Sequence, residues 1–154
     1  KGVIGDGAGG SVNPEIRRST VTWLSYDDAR ELYRVLGKVV EDLNAEFFRY
    51  DLSGFKEKLQ LTNYSSEDQG TYDWHMDKGH DVTRKLSLVL QLSDPNDYEG
   101  GELEFNFGGK EPLVIAKRKG LINVFPSWAI HRVTPVTSGS RQSLVAWISG
   151  PSLK

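Results

Sequence analysis

The rhythm of the chain after Asn44 restricts the fold more than any other feature. Nine short apolar runs follow one another there, at residues 47–50, 58–64, 72–76, 86–92, 102–107, 113–116, 121–125, 131–136 and 143–149. Turn-forming clusters punctuate them: Asp94-Pro95-Asn96-Asp97, Gly100-Gly101, Gly108-Gly109, Gly120 and Ser138-Gly139-Ser140. Runs this short, bounded by Gly, Pro, Asn and Asp, read as strands, because a helix needs a longer uninterrupted period. Closely spaced strands with no helices between them pair as antiparallel neighbours in two packed sheets. The expected architecture is mainly β, a two-sheet jelly roll with one flanking helix.

That helix lies upstream. Ala29, Leu32, Tyr33, Leu36, Val39, Val40 and Leu43 recur at helical spacing and line one face of about five turns. Ser25 with Asp28 opens it in the manner of a capping box, and Asn44 is its expected stop. Gly37 inside it costs about 1 kcal/mol relative to Ala. Residues 18–24 alternate like a strand, with Ser19, Val21 and Trp23 on one side. The same alternation sends Leu86, Leu88, Leu90 and Leu92 toward the helix, and Ser87, Val89 and Gln91 into the barrel. The first ten residues hold five glycines and no periodicity. Residues 1–17 are therefore expected to form a flexible lead-in to a single domain spanning 1–154.

Composition narrows the function classes. Without cysteine, disulfides, iron–sulfur clusters and thiolate zinc sites are excluded. A net charge of -2 gives no electrostatic ground for a nucleic-acid partner. Lys117-Arg118-Lys119, a tight basic run, fits a solvated turn. No apolar run approaches the ~20 residues of a membrane-spanning helix, and the start lacks a secretory signal pattern. The expectation is a soluble cytoplasmic monomer without a membrane partner.

The chemistry-bearing residues come next. His75-Met76-Asp77 sits where a strand gives way to a polar loop, His131 opens the strand 131–136, and Arg141 and Ser143 open the last strand. Two neutral imidazoles and one carboxylate hold one face of an octahedral Fe(II), leaving three positions for a bidentate ligand and dioxygen. An arginine beside them offers a planar, permanently charged fork for a carboxylate at the far end of that ligand. Taken singly, each residue has a plainer reading. Asp77 caps a turn, His75 is a satisfied core imidazole, and Arg141 begins a surface strand. His80, in Gly79-His80-Asp81, competes weakly with His75 as a ligand.

From residue 59 onward, about two thirds of the chain resembles the Fe(II)/2-oxoglutarate-dependent oxygenases of the prolyl 4-hydroxylase type, close to their short bacterial and viral members. The segments that carry the resemblance are residues 64–70, Tyr72 and His75-Met76-Asp77; Arg84-Lys85-Leu86-Ser87; Leu92-Ser93-Asp94-Pro95; and Tyr98-Glu99-Gly100-Gly101-Glu102-Leu103. It continues at Phe125-Pro126-Ser127, His131-Arg132-Val133, Pro135-Val136, Gly139-Ser140-Arg141-Gln142-Ser143 and Trp147. It implies a double-stranded β-helix. It also implies Fe(II) held by His75, Asp77 and His131, and 2-oxoglutarate held through its distal carboxylate by Arg141, with Ser143 and Tyr64 assisting and Trp147 packed near the metal. Dioxygen would be the oxidant and ascorbate a supporting factor. Gln91 departs from the pattern: relatives of the animal oxygen-sensing group carry a tyrosine to the co-substrate there. Glutamine still donates to a carboxylate.

The activity so implied is hydroxylation of a C–H bond with release of succinate and CO2, peptidyl proline being the leading target and a peptide or protein the partner. Arg84 matches a family position near substrate. Residues 65–71 and 78–84, with Gly70 and Gly79, are expected to flank the mouth as a lid. Two alternatives stay open: the same chemistry on a small molecule or nucleobase, and a catalytically silent metal-binding jelly roll. No second arginine closely follows Arg141, as it does in nucleobase-repair relatives. A complete triad with Arg141 disfavours silence.

Overall fold

The computed structural model describes residues 13–78 and 83–152. Its strands are β1 (Arg17–Arg18), β2 (Thr20–Leu24), β3 (Gly54–Phe55), β4 (Leu59–Ser65), β5 (Thr71–His75), β6 (Arg84–Gln91), β7 (Tyr98–Gly100), β8 (Leu103–Asn106), β9 (Leu113–Val114), β10 (Ile122–Pro126), β11 (Ile130–Val133) and β12 (Val136–Ser149). One helix, α1 (Arg30–Leu43), lies between β2 and β3. The larger sheet runs β10-β6-β12-β4-β2 and the smaller β1-β5-β11-β8-β9, with β3 and β7 paired to parts of β12. Every pair is antiparallel.

Strand alternation gives the larger sheet two distinct faces. Leu59, Leu86, Leu88, Leu144, Ala146 and Ile148 pack against Tyr33, Leu36 and Val40 of α1, with Leu90 and Leu92 partly buried beside them. That is the expected leucine stripe. The Tyr33 hydroxyl donates to the Leu24 carbonyl at 2.9 Å and accepts from the Leu59 N–H at 3.1 Å, tying the helix to β2 and β4. The opposite face meets the smaller sheet through Val89, Leu103, Phe105, Phe125 and Ala129, and through Tyr64, Tyr98, Val133 and Val136. Leu36 is almost wholly buried under the helix. Leu36→Ala is expected to cost about 2–5 kcal/mol of stability, read by chemical denaturation. Ligand binding by the folded fraction should be unchanged, because Leu36 packs on the face away from the barrel interior.

Several expectations need correction. Residues 47–50 are not a strand. The helix continues as a π-helical turn, Asn44–Phe48, closed by the Arg49 N–H to the Asn44 carbonyl at 2.7 Å. Asn44 then binds both backbone groups of Tyr50, so these local bonds override the β propensity of Phe47 and Phe48. Ser25 and Asp28 do exchange hydrogen bonds, but they close the turn before the helix, whose N-cap is Ala29. Residues 131–136 split after Val133, with Pro135 in the break, because proline supplies no ladder N–H. Ser138-Gly139-Ser140 is not a turn between strands but part of the 14-residue β12, with Gly139 paired to Tyr98.

The lead-in and the lid also change. Arg17, counted with the flexible segment, belongs to β1 and is 5% exposed; residues 1–12 lie outside the described part. The segment 65–71 forms a tight connection held by the Ser66 N–H to the Gly139 carbonyl and the Gly70 N–H to the Ser65 carbonyl. A Cβ at Gly70 would come within 2.8 Å of the Tyr64 and Ser65 backbone. Gly70 therefore permits close packing rather than motion. Residues 79–82 of the other lid segment, His80 included, lie outside the described residues.

Candidate metal centre and co-substrate pocket

The smaller sheet brings the candidate ligands together. His75 ends β5 and His131 lies in β11, directly opposite it in the strand register. Asp77 follows two residues after His75, and its N–H donates to the Ser127 carbonyl at 3.0 Å, as the Lys78 N–H does at 2.9 Å. These anchors turn the Asp77 carboxylate back toward both rings. One ligand atom from each of His75, Asp77 and His131 lies within 4.8 Å of the others. Asp77 Oδ1 is 3.4 Å from His75 Nε2 and 3.6 Å from His131 Nε2.

The imidazoles are held in the tautomer a metal requires. His75 Nδ1 lies 2.7 Å from the Asp73 carbonyl and His131 Nδ1 lies 2.9 Å from the Ala129 carbonyl. A carbonyl only accepts, so both Nδ1 atoms carry the proton and both Nε2 lone pairs face the centre. Burial pushes the His131 pKa down and keeps its ring neutral. Burial alone would raise that of Asp77, but the His131 and His75 rings and the Ser87 hydroxyl hold its carboxyl well below the ordinary range. The set is two imidazole nitrogen donors and one carboxylate oxygen. It fits a divalent first-row ion such as Fe(II).

Aromatic packing fixes the rings. Tyr72 stacks on His75 with centroids 3.4 Å apart, and the Arg17 guanidinium lies 4.6 Å from the centre of the Tyr72 ring. Burial pushes the Tyr72 phenol up to about 12. His131 sits edge-on to Phe125 at 4.9 Å and stacks on Phe105 at 5.7 Å. Trp147, expected only to pack near the metal, does more: its Nε1–H donates to Asp77 Oδ2 at 3.0 Å, leaving Oδ1 toward the histidines.

The larger sheet supplies the second half. Arg141, Ser143, Val145 and Trp147 alternate along β12 on the barrel face, beside Val89 of β6 and Tyr64 of β4. Arg141 is 1% exposed. It donates to Gln91 Oε1 at 3.0 Å and to Ser143 Oγ at 3.3 Å, and its guanidinium carbon lies 5.4 Å from the Tyr64 ring centre. Its Nε–H is buried with no partner. Burial lowers the Arg141 pKa, with Tyr64 and Tyr98 opposing. A buried, charged fork with an unpaired donor fits a carboxylate. Gly101 makes room for it: at φ +63, a Cβ there would sit 2.9 Å from Val136 Cγ2 and 3.1 Å from Arg141 Cδ. The sequence shows that glycine only as turn punctuation.

The three candidate ligands, Tyr64, Tyr72, Arg141, Ser143 and Trp147 line one cavity of about 530 Å³; Gln91 and Gly101 lie behind Arg141. Exposed Trp23, Lys58 and Met76 mark its open side. Arg84 also lines it, but is heavily engaged: it pairs with Glu57, donates to the Asp77 carbonyl and lies against Trp147. Glu57, Arg17 and Gln60 were not among the expected site residues. Nothing in their local sequence marks them, because each acts through partners distant in the chain. Lys117 of the basic run pairs with Glu102 at 3.0 Å and lies over Tyr98.

The family described as the 2OG-Fe(II) oxygenase superfamily matches residues 59–149. A PKHD-type hydroxylase of Synechococcus sp. (strain CC9311) is 40% identical over 85 residues, 54% of this chain and 38% of that protein. Another, from Teredinibacter turnerae, is 29% identical over 154 residues, 94% of this chain and 65% of that protein. The chain thus spans only part of the length of these relatives. Among solved structures, a prolyl hydroxylase from Trichoplax adhaerens, in complex with a hypoxia inducible factor peptide fragment, has a TM-score of 0.79 at 18% identity, covering 95% of this chain and 69% of its own. A Pseudomonas putida prolyl-4-hydroxylase has a TM-score of 0.72 at 20% identity, covering 90% and 76%. A viral collagen prolyl hydroxylase from Paramecium Bursaria Chlorella virus-1 has 0.66 at 20%, covering 88% and 81%. These likenesses establish the double-stranded β-helix. With more than half of its length matched and a His-Asp-His centre in place, the chain belongs to the 2OG-Fe(II) oxygenase superfamily, whose metal is Fe(II) and whose co-substrate is 2-oxoglutarate.

Proposed function

We propose that the chain is an Fe(II)- and 2-oxoglutarate-dependent dioxygenase domain that hydroxylates a C–H bond of a peptide, proline foremost, releasing succinate and CO2. One observation carries the reading: a three-donor centre and a buried arginine with an unpaired N–H line the same cavity. When bound, the metal and co-substrate supply the oxidising power; the protein orients, shields and selects.

His75 and His131 present Nε2 donors, and Asp77 adds one negative charge. Arg141 would hold the distal carboxylate of 2-oxoglutarate by donating to it, with Ser143 beside it. Gln91 uses its carbonyl to hold Arg141 and would act on the co-substrate through it. Tyr64 closes the same end. Val89, Leu103, Val133 and Val145 give the cavity apolar walls, where charge pairing is stronger than in water.

The peptide substrate is supported by the open side of the cavity and by the peptide complex of the Trichoplax relative. Arg84 spends three N–H groups on Glu57 and Asp77 and keeps two for a substrate carbonyl. We propose that the chain works as a cytoplasmic monomer and does not act on nucleic acid, its net charge of -2 offering phosphates no basic excess. Among the described residues no helix is long and apolar enough to cross a membrane.

A proline-rich peptide library, incubated with Fe(II), 2-oxoglutarate and air and read by mass spectrometry, tests the reading. The expected product gains one oxygen atom on a proline-containing peptide in step with succinate. Turnover of a small molecule but no peptide would move the substrate class. No 2-oxoglutarate consumption under any condition would remove the enzyme reading.

A further inference from the structure

We infer that Glu57 is a positioning residue for the metal centre, acting on Asp77 through Arg84 and Trp147. The inference rests on the oxygenase reading and goes beyond it, because Glu57 precedes the family-matched residues 59–149 and touches none of the candidate ligands.

The chain of contacts is continuous. Arg84 Nε donates to Glu57 Oε2 at 2.6 Å and Nη2 to Oε1 at 2.5 Å, a two-pronged pairing that fixes the plane of the guanidinium. In that plane Nη1 donates to the Asp77 carbonyl at 2.9 Å, and the guanidinium carbon sits 3.9 Å from the Trp147 ring centre. Trp147 in turn donates to Asp77 Oδ2. Arg84 therefore controls Asp77 twice, through its backbone and through the indole that orients its carboxylate.

Burial makes this more than a surface pair. The side chains of Arg84 and Glu57 are 11% and 28% exposed, so the pair is largely shielded from the solvent that weakens exposed ion pairs. Without Glu57, the long Arg84 side chain loses the two bonds that set its plane. Its stacking on Trp147 and its bond to Asp77 then compete with other rotamers. Outer partners of this kind fix ligand orientation. Asp77 has to hold Oδ1 toward the histidines and keep Oδ2 on the indole, an arrangement one carboxylate rotation would destroy.

The test is anaerobic titration of the intact chain with Co(II), an optically active stand-in for Fe(II), in Glu57→Gln, Glu57→Ala, Arg84→Ala and the double variant Glu57→Ala/Arg84→Ala. Glu57→Gln keeps the side-chain volume, and thermal melting separates lost folding from lost metal affinity. The expected result is about tenfold weaker Co(II) binding in both Glu57 variants, the low end of the ~10–100-fold known for outer partners, with an altered Co(II) visible spectrum. The double variant should bind no more weakly than Arg84→Ala alone, because the two residues act in series. Unchanged Co(II) affinity in the Glu57 variants, or losses that add in the double variant, would overturn the inference while leaving the oxygenase reading intact. Failure of the unaltered, folded chain to bind metal would overturn both.

Discussion

Replacing His131 by alanine is expected to abolish Fe(II) binding, and His75→Ala is expected to do the same. Each variant removes one of three donors from a centre whose other two cannot close the face. The loss should exceed the ~10–100-fold that follows from deleting an outer partner. His131 packs between Phe105 and Phe125, so its truncation leaves a gap. Circular dichroism and thermal melting establish that the variant remains folded before its metal content is read. His80→Ala serves as the control and should bind Fe(II) normally. Iron lost from the His80 variant and kept in the His75 variant would show that the ligand set is wrongly assigned.

Arg141→Lys carries the second large effect. Lysine keeps the charge but presents a single ammonium, and cannot reach Gln91, Ser143 and a carboxylate with one planar fork. Charge-assisted bonds of ~1.5–3 kcal/mol each are at stake. Losing one of them weakens 2-oxoglutarate use roughly 10- to 100-fold, read as the rise in the 2-oxoglutarate concentration needed for half-maximal turnover. Fe(II) affinity should stay near that of the unaltered chain, because Arg141 contacts none of the three candidate ligands. Arg141→Ala with unaltered 2-oxoglutarate dependence would move the carboxylate site to another basic residue. Arg84 and Lys85 would be the first to examine.

What the sequence reveals about this molecule follows the range over which each feature acts. Alternation along residues 84–91 is a local property, so it announces both the leucine face under α1 and the inward Val89 and Gln91. The His75-Met76-Asp77 spacing and the place of His131 near a strand start are also local, and the structure brings them to one cavity with Arg141. Arg141 lies within β12 rather than opening it as expected, because the strand begins at Val136. The two-residue strands β1 and β3 and the three-residue β7 are too short to show alternation; they exist because a longer strand offers them partners. Arg17 illustrates the point. Glycine-rich sequence precedes it, yet β5 pairing and bonds to Ser19 and Gln60 at 2.8 Å bury it.

Side-chain partnerships were the least legible part of the site. Trp147 and Asp77 are 70 positions apart and Arg84 and Glu57 are 27 apart. No spacing rule joins them: Trp147 and Asp77 meet only after the two sheets pack face to face, and Glu57 and Arg84 only after β4 and β6 assemble on either side of β12 in the larger sheet. Arg84 shows the consequence. Its position suggested a substrate contact, whereas its bonds to Glu57 and Asp77 also make it a brace for the metal centre. Residues 47–50 failed for the opposite reason: the strand propensity was visible, and two Asn44 side-chain bonds overrode it.

The central claim is that one cavity binds Fe(II) and 2-oxoglutarate together. Anaerobic visible spectroscopy tests it most directly, with Fe(II) added first and 2-oxoglutarate second. One Fe(II) per chain, followed by a weak charge-transfer band that appears only with 2-oxoglutarate and is lost in His131→Ala, is the result predicted. A folded chain that binds Fe(II) but gives no such band, or a band that survives the loss of His131, would contradict the account.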